Sequence, residues 1–265
     1  MEAHPFAAPL SRGRIADRIL DDLRNRIASG ELARGSRLPA ERELAGQYGV
    51  SGATVREAVR GLSAMGFLDV RHGSGAYVTA GNDRLLASSL GTLIQLAEVS
   101  LADVVGILAV LHAHAAELVV EHATDADIAA LDAGIEALAT TQTADALAEA
   151  LMRFLRALAA ATHNPLLAAL CNFLSQLQIG LALELSRRSD EQWRKMTGAF
   201  REDRVAIVAA LRRRDRAQTV EAMNRYQATA TRLIAQLPYG KRKRIPSAPL
   251  AGVLTAIRDT RRSPP

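Results

Sequence analysis

The chain has 265 residues, of which 49% are hydrophobic, and it carries a formal net charge of +5. This length is enough for two small domains with separate cores, and the hydrophobic content excludes a largely disordered chain. The one cysteine, Cys171, has no partner for an intramolecular disulfide, which argues against a disulfide-stapled secreted protein and fits a reducing compartment.

The first 80 residues predict three helices followed by a hairpin. From Ser11 to about Ser29, apolar residues recur with the period of a helix. A second helix is predicted between Pro39 and Gly49, and Ser51 is the expected N-cap of the third. The stretch FLDVRHGSGAYV then predicts two short strands around a glycine-rich tip. We assign this first domain to residues 1–80.

Residues 84–238 contain only helical patterns, and TAGNDR at 79–84 is the expected linker before them. Capping residues precede periodic segments at five points: Ser100, Thr124, Thr143, Asn164 and Ser189. The connections are short, which favours an all-α helical bundle as the second domain. The predicted fold class is therefore mainly α.

A membrane span is the alternative for residues 157–183, which contain no Asp, Glu, Lys or Arg. His163, Asn164 and Pro165 interrupt this stretch, and several polar residues recur after them. The N-terminus also has no apolar stretch long enough for a signal peptide. We therefore expect a buried bundle helix, no membrane partner and a cytoplasmic location.

The charge is distributed unevenly along the chain. Residues 239–265 contain seven basic residues and one acidic residue, whereas the central region is slightly acidic. Both ends of the chain therefore favour a polyanion and the centre does not. We expect residues 239–265 to form a basic, flexible tail, in which LAGVLTAI is a candidate short helix.

The stretch ERELAGQYGVSGATVREAVRGL has the layout of a helix-turn-helix, with a glycine-containing turn between two helices. Ser51, Thr54 and Arg56 are expected to face outward near the start of the second helix. Hydroxyl and guanidinium groups in that position bind phosphates and base edges. The hairpin tip, which contains His72 and Gly73, is expected to approach the adjacent DNA backbone or minor groove.

The stretch LPAERELAGQYGVSGATVREAVRGLSAMGFLDVRHGSGAYV resembles the winged helix-turn-helix domain of the GntR family of bacterial regulators. The resemblance extends over residues 12–79. It implies double-stranded operator DNA as the partner, and the implied contacts are Arg42, Ser51, Thr54, Arg56, His72 and Gly73. One position departs from the family, because Gly52 replaces an arginine that commonly reads guanine. The operator of relatives is therefore not carried over to this chain.

The helical half resembles the FCD domain of the FadR subfamily, in its layout and in pieces such as ATHNPLL. Many such domains hold a divalent metal with one Asp and three His. Carried onto this chain, these ligand positions are Leu151, Leu155, Arg204 and Tyr226. The arginine that often holds a carboxylate effector corresponds to Leu108. None of these is a usual ligand for such a metal, so we predict no metal and no cofactor.

An effector pocket is still expected at Leu108, Leu151, Leu155, Arg204 and Tyr226. Three apolar positions and one arginine favour a largely apolar effector with one anionic end, such as a fatty acid or an acyl-CoA. In the alternative interpretation, the leucines fill the former pocket and Arg204 pairs with Glu202 or Asp203.

The remaining candidate site consists of His114, Glu117 and Glu121, which share one helical face. We interpret this face as solvated or interhelical, with a metal or catalytic site as the alternative. The sequence therefore predicts a transcription regulator and not an enzyme. We expect it to be a repressor that binds a palindromic operator as a homodimer and responds to a small molecule. In the alternative, the helical domain only dimerises and binds no effector.

Overall fold

A computed structural model describes residues 12–71, 73–79, 83–186, 189–237, 240 and 242–258. The chain divides into two compact units, residues 1–89 and 90–265, which we call the DNA unit and the helical unit. Within the described residues the helices are α1 (Arg12–Ala28), α2 (Glu41–Tyr48), α3 (Gly52–Ala64), α4 (Asp83–Leu96), α5 (Leu101–His122), α6 (Asp125–Thr140), α7 (Ala144–Ala160), α8 (Pro165–Leu185), α9 (Asp190–Gly198), α10 (Arg201–Arg212), α11 (Arg216–Ile234) and α12 (Ser247–Arg258). The strands are β1 (Leu68–Arg71) and β2 (Gly75–Val78).

The DNA unit is built on the packing of α1 against α3, and α2 packs on the other side of α3. The predicted apolar face of α1 is directed into this core. The buried core residues are Ile19, Leu23, Leu38, Leu44, Val55, Ala58, Val59, Leu62, Leu68 and Val78. A hydrogen bond of 2.5 Å from the Tyr48 hydroxyl to Asp22 Oδ2 also ties α2 to α1. Burial, with help from this carboxylate, raises the pKa of Tyr48 to about 12, so the phenol remains a donor at neutral pH.

The turn between α2 and α3 follows from local sequence. Gly49 has φ 65°, a left-handed conformation that other residues rarely adopt, and it ends α2 as predicted. Ser51 then caps α3, since its Oγ accepts a hydrogen bond from the Thr54 amide. The left-handed glycine and the serine cap together fix the direction and the rotation of α3 relative to α2.

The hairpin pairs β1 and β2 in antiparallel register, with Leu68 opposite Val78 and Arg71 opposite Gly75. The preceding loop adds a third segment that the sequence did not predict. The Leu38 amide donates to the Ala76 carbonyl at 2.8 Å, and the Val78 amide donates to the Ser36 carbonyl at 2.9 Å. This pairing attaches the wing to the loop before α2 and therefore to the helix-turn-helix.

The helical unit is an all-α bundle, as predicted. The five capping residues Ser100, Thr124, Thr143, Asn164 and Ser189 each accept a hydrogen bond from a first-turn amide of the helix that follows. α7 packs against both α6 and α8, and α5 packs against α8 and α11. Gly134 in α6 allows close approach of α7, because a Cβ there would lie 3.2 Å from the Phe154 Cα.

Two helices, α5 and α8, are long and apolar enough to cross a membrane by composition. Both pack against other helices of the bundle, and α8 contacts α5, α7 and α12. α8 also buries the polar side chains of Ser175 and Gln176. A core helix of a bundle explains these features, which agrees with the interpretation made from the sequence for residues 157–183.

The C-terminal segment differs from the flexible tail that we expected. Its predicted short helix is present as α12, but this helix packs against α8. Leu250, Val253, Leu254 and Ile257 are all buried. Two glycines make room for it, since a Cβ at Gly180 would lie 2.7 Å from Val253 and one at Gly91 would lie 2.9 Å from Leu254. Residues 247–258 are therefore part of the fold.

We expect Leu254→Ala to lower the free energy of unfolding by about 2–5 kcal/mol, because it removes a buried side chain from a close contact. Leu254 is 1% exposed. Denaturant unfolding measures the difference, with Thr255→Ala on the exposed side of α12 as the matched control. Equal stability of the two variants would show that α12 is not docked in solution.

Candidate nucleic-acid interface and ligand cavities

α3 presents one polar face to solvent and one apolar face to the core. Val55, Ala58, Val59 and Leu62 are buried. The exposed residues at the corresponding spacing are Ala53, Arg56, Glu57 and Arg60. Arg60 lies one turn beyond Arg56 and was not among the predicted contacts, although the i, i+4 spacing indicates a shared face. The exposed face of α3 therefore carries two arginines that can reach a DNA groove.

Arg56 in α3 is linked to the start of α2, the helix that contains Arg42. Arg56 Nε is 3.0 Å from Glu41 Oε2, and Glu41 precedes Arg42 in the chain. Both arginines are exposed. An exposed ion pair such as Arg56–Glu41 contributes at most about 1 kcal/mol. A phosphate or a guanine edge therefore competes readily with Glu41 for the Arg56 guanidinium.

Ser51 is exposed as predicted, but the prediction that Thr54 faces outward is wrong. Thr54 is 6% exposed, and its Oγ1 lies 2.9 Å from Ser51 Oγ. The reason is helical spacing, because Thr54 lies one turn before the buried Ala58 and therefore on the face of α3 that packs into the core. In this conformation Thr54 holds the first turn of α3 in place, and it is not available for a base contact.

Gly52 is the position at which the family commonly has an arginine. A Cβ built at Gly52 would have no other heavy atom within 4 Å. Packing therefore does not require glycine at this position, and a long side chain would extend into solvent. The fold would therefore accept an arginine at position 52, and glycine there changes which groups α3 offers to DNA.

Two further cations lie at the wing: Arg71, which belongs to the hairpin tip predicted to approach DNA, and Arg37 from the loop before α2, which the sequence did not indicate. The Arg71 guanidinium lies 4.2 Å from the centre of the Tyr77 ring and its Nε is 3.2 Å from Asp69 Oδ2. A Cβ at Gly75, which has φ 104°, would lie 3.0 Å from Arg37 Nε, so Arg37 also lies beside the hairpin. Stacking of this kind holds a charged group near the tip of the wing.

Of the two residues predicted to make contacts at the tip, only Gly73 is described. It has φ 72°, which explains why glycine is needed in this turn. His72 lies outside the described residues.

In the helical unit, four of the five predicted pocket residues line one cavity of about 40 Å³, which we call the apolar cavity. They are Leu108, Leu151, Leu155 and Tyr226. Aliphatic and aromatic side chains from α8, α9 and α11 complete its wall. Arg204 does not line this cavity and instead lines a neighbouring one. The structure therefore separates the predicted cation from the predicted apolar wall.

His112 is the polar group of the apolar cavity that sequence reasoning missed. It is 2% exposed, and its Nδ1 lies 2.5 Å from Gln227 Nε2. Burial lowers the pKa of His112 to about 4, so the ring is neutral at neutral pH. With Gln227 donating to Nδ1, the proton is on Nε2, which has no hydrogen-bond partner. The signal in the sequence was its spacing, one helical turn after Leu108.

Arg204 is 3% exposed and forms no ion pair at contact distance with a described carboxylate, although Asp203 is near enough to act on it electrostatically. Its Nη2 donates to the Thr197 carbonyl at 2.7 Å, whereas Nε and Nη1 have no hydrogen-bond partner. The alternative in which Arg204 pairs with Glu202 or Asp203 is not seen among the described ion pairs, and Asp203 instead pairs with Arg225 at 3.4 Å. Burial lowers the pKa of Arg204 and raises that of the nearby Tyr226 to about 12.

The divalent metal that the FCD resemblance implies does not fit these residues. Two of the four ligand positions are buried leucines, Leu151 and Leu155, and a third is the cation Arg204. Within the part of the chain that the structure describes, no group of three or more His, Cys, Asp and Glu side chains is arranged to hold a metal ion. On α5, His114 pairs with Glu117, and Arg216 contacts both Glu117 and Glu121, so this polar face is an ion-pair network.

Comparison with known proteins agrees with both units. Residues 15–78 match the family described as bacterial regulatory proteins, gntR family, and residues 103–229 match the FCD domain. The two matches together cover more than half of the chain. The chain belongs to the GntR family of bacterial transcription regulators. Its FCD domain fits the FadR-like subfamily.

Relatives of this GntR-family regulator are regulators and not enzymes. It is 31% identical to an uncharacterized HTH-type transcriptional regulator of Mycobacterium tuberculosis, in a match that covers 59% of this chain and 65% of that protein. It is 27% identical to the galactonate operon transcriptional repressor of Escherichia coli, over 83% of this chain and 97% of the repressor. A solved structure described as Streptococcus agalactiae GntR has a TM-score of 0.60, with 24% identity over 84% of this chain and 99% of that chain, and supports the fold.

The buried neutral histidine makes a prediction about pH. The unfolded chain takes up a proton at His112 near its ordinary pKa of 6.5, whereas the folded chain does so only near pH 4. The stability that neutral His112 contributes is therefore complete above pH 6.5 and is lost as the pH falls towards 4. Between about pH 7 and about pH 4.5, we expect the wild type to lose roughly 2–3 kcal/mol more than His112→Gln does.

Urea unfolding of the two proteins at both pH values measures this difference. All other titrating groups are common to the pair, so they cancel in the comparison. Parallel stability curves for wild type and His112→Gln would mean that His112 is solvated or charged in the folded protein.

Proposed function

We propose that this GntR-family regulator is a cytoplasmic repressor that binds a palindromic operator as a homodimer and responds to a small molecule in its helical unit. The observation that carries the DNA-binding part is the exposed face of α3, which carries Arg56 and Arg60, together with the exposed Arg42 at the start of α2. A repressor role is supported by the likeness to the galactonate operon repressor. The cytoplasmic location is supported by the same DNA-binding relatives.

The interface favours phosphate contacts at the edges and few base contacts in the centre. Ala53 and Gly52 occupy the first turn of α3, where longer side chains would reach base edges. Arg56 is the first exposed side chain of α3 that can make a bidentate contact to guanine. The basic groups of the wing, Arg37 and Arg71, are placed for the DNA backbone.

We expect Arg42→Ala and Arg56→Ala each to weaken binding to the operator by roughly ten-fold or more, since one bidentate contact contributes about 1–3 kcal/mol. The operator is obtained by selecting random DNA with the wild-type protein, and affinity is measured by gel shift. Neither variant should unfold, because both side chains are exposed. Arg153→Ala, an exposed arginine of the helical unit, is the control for the change in charge. Wild-type affinity in both test variants would falsify this assignment.

Exposed apolar side chains on α5 support the homodimer. Ile107 and Val110 are 58% and 67% exposed and lie one turn apart, so they share a face of the helix. A winged helix that binds one half-site has limited affinity, and two-fold symmetry doubles the contacts. An apolar face on the helical unit that contacts a second copy of the chain supplies this symmetry.

We expect Val110→Asp to convert the dimer to monomers, because it places a carboxylate in the apolar interface. Light scattering coupled to size exclusion measures the mass. Val205→Asp is the matched control, since Val205 in α10 is also an exposed valine. A dimer that persists in Val110→Asp would remove α5 as the interface.

The long-chain acid that we expected as effector conflicts with the geometry. The apolar cavity of about 40 Å³ is of the order of one water molecule in size, and Arg204, the expected anchor, lines a different cavity. Acyl chains would therefore fit only after the helices move apart. The geometry favours a smaller acid as the effector.

The second candidate, a helical unit that only dimerises, is favoured by the same small volume. Thermal-shift measurements with long-chain acids and with small organic acids distinguish the candidates. Stabilisation by either class supports an effector domain of that class, and no stabilisation by any acid supports dimerisation alone.

A further inference from the structure

We propose that a second cavity of about 360 Å³ in the helical unit binds a small organic anion through a carboxylate or phosphate group. α6, the residues that follow it, α7, α9 and α10 form this cavity, which we call the arginine cavity. Arg194, Arg201 and Arg204 line it on one side, and Leu138 and Leu147 are part of its apolar wall. Anion binding at this cavity does not depend on the proposed function, but an effect of the anion on DNA binding does.

The strongest support comes from Arg204. Arg204 is only 3% exposed, and two of its three guanidinium nitrogens, Nε and Nη1, lack a hydrogen-bond partner. Burying a guanidinium without a counter-charge is costly, and unpaired buried donors add to this cost. Arg204 lines the adjoining cavity but its Nε and Nη1 are themselves buried, so an anion there would act on Arg204 first as the missing counter-charge.

The charge of the lining supports the same ligand class. The lining residues include three arginines and no Asp or Glu. Asp203, the nearest carboxylate in sequence, is engaged by Arg225. Arg194 donates a hydrogen bond to a neutral group, the Gln142 Oε1, at 3.5 Å, and lies near Glu191 without a hydrogen bond to it. Since no carboxylate lines this cavity, its arginines leave a positive potential that attracts an anion.

The position of α10 adds to this potential. Arg201 is the first residue of α10, and the preceding Phe200 supplies no side-chain cap. The N-terminus of a helix carries a partial positive charge and attracts anions. The volume of about 360 Å³ lies within the ordinary range for small-molecule pockets, roughly 300–1,000 Å³. The pocket therefore has the size, charge and buried donors of an anion site.

The two cavities are joined through α9. Thr197 lines both, and its carbonyl accepts the hydrogen bond from Arg204. Trp193, the one tryptophan of the chain, lies one turn before Thr197 and lines the apolar cavity. An anion that draws on the Arg204 guanidinium would thus perturb α9. Because Trp193 is the one tryptophan of the chain, its fluorescence reports on the helical unit, and the variants below assign a change to the arginine cavity.

The test is a titration of Trp193 fluorescence in the full-length protein without DNA. Succinate and inorganic phosphate are the two probes, and potassium chloride at equal ionic strength is the salt control. We expect a saturable change with at least one probe. Saturation by succinate alone identifies a carboxylate site, and saturation by phosphate alone identifies a phosphate site.

Two variants test the assignment to the arginine cavity. Arg201→Ala changes an exposed side chain, so it should lower the affinity for the probe by ten-fold or more without unfolding the protein. Arg204→Lys keeps a positive charge but removes the additional hydrogen-bond donors of the guanidinium. It should lower the affinity for the probe by at least as much. Arg153→Ala on α7 lies outside the cavity and should bind as the wild type does.

The proposal is overturned if neither probe gives a saturable change beyond that of chloride, or if Arg201→Ala binds as tightly as the wild type. Should Arg204→Lys fail to fold, Arg201→Ala decides alone. The assay contains no DNA, so a failure of operator binding leaves this result intact. Conversely, saturable binding with unchanged operator affinity supports the site and removes only its role as an effector site.

Discussion

A guanidinium buried without a carboxylate is the constraint on which the arrangement of the helical unit depends. Arg204 donates to the last turn of α9 through the Thr197 carbonyl, while its neighbour Tyr226 belongs to α11. This one side chain therefore connects three helices at the boundary of two cavities. A neutral residue at this position would pack more cheaply, since burying a charge costs several kcal/mol unless it is paired. The cost of this buried charge is the reason for proposing that Arg204 binds an anion as well as connecting these helices.

The elements that depend on neighbouring residues were predicted well. Helix starts at Ser100, Thr124 and Ser189 follow from capping, which is a contact between residues three positions apart. The error at Thr54 is also local, and helical spacing would have prevented it. Thr54 lies four residues before the apolar Ala58, which places it on the buried face of α3, and its hydroxyl then contacts the Ser51 cap.

The errors that the sequence alone would not have prevented involve contacts between distant segments. Four basic residues at 241–244 suggested a solvated tail, but the docking of α12 depends on space left by Gly91 and Gly180. The sequence around each glycine does not indicate that another helix packs there. Likewise, the family positions grouped Arg204 with three leucines, whereas the rotation of α10 directs it to a different cavity. Periodicity gives the buried face of a helix but not the neighbour that covers it.

The two cavities separate the charged group, Arg204, from the apolar wall that the family positions place beside it. A bound metal ion is an electrophile whose affinity depends on deprotonated ligands, so it depends on pH and on metal supply. Arg204 carries a charge that does not depend on either, because a guanidinium remains protonated even when burial lowers its pKa. His112, in contrast, is neutral and offers a single donor within an apolar wall. Thr197 lines both cavities, so α9 is the helix through which the charged group and the neutral polar group are linked.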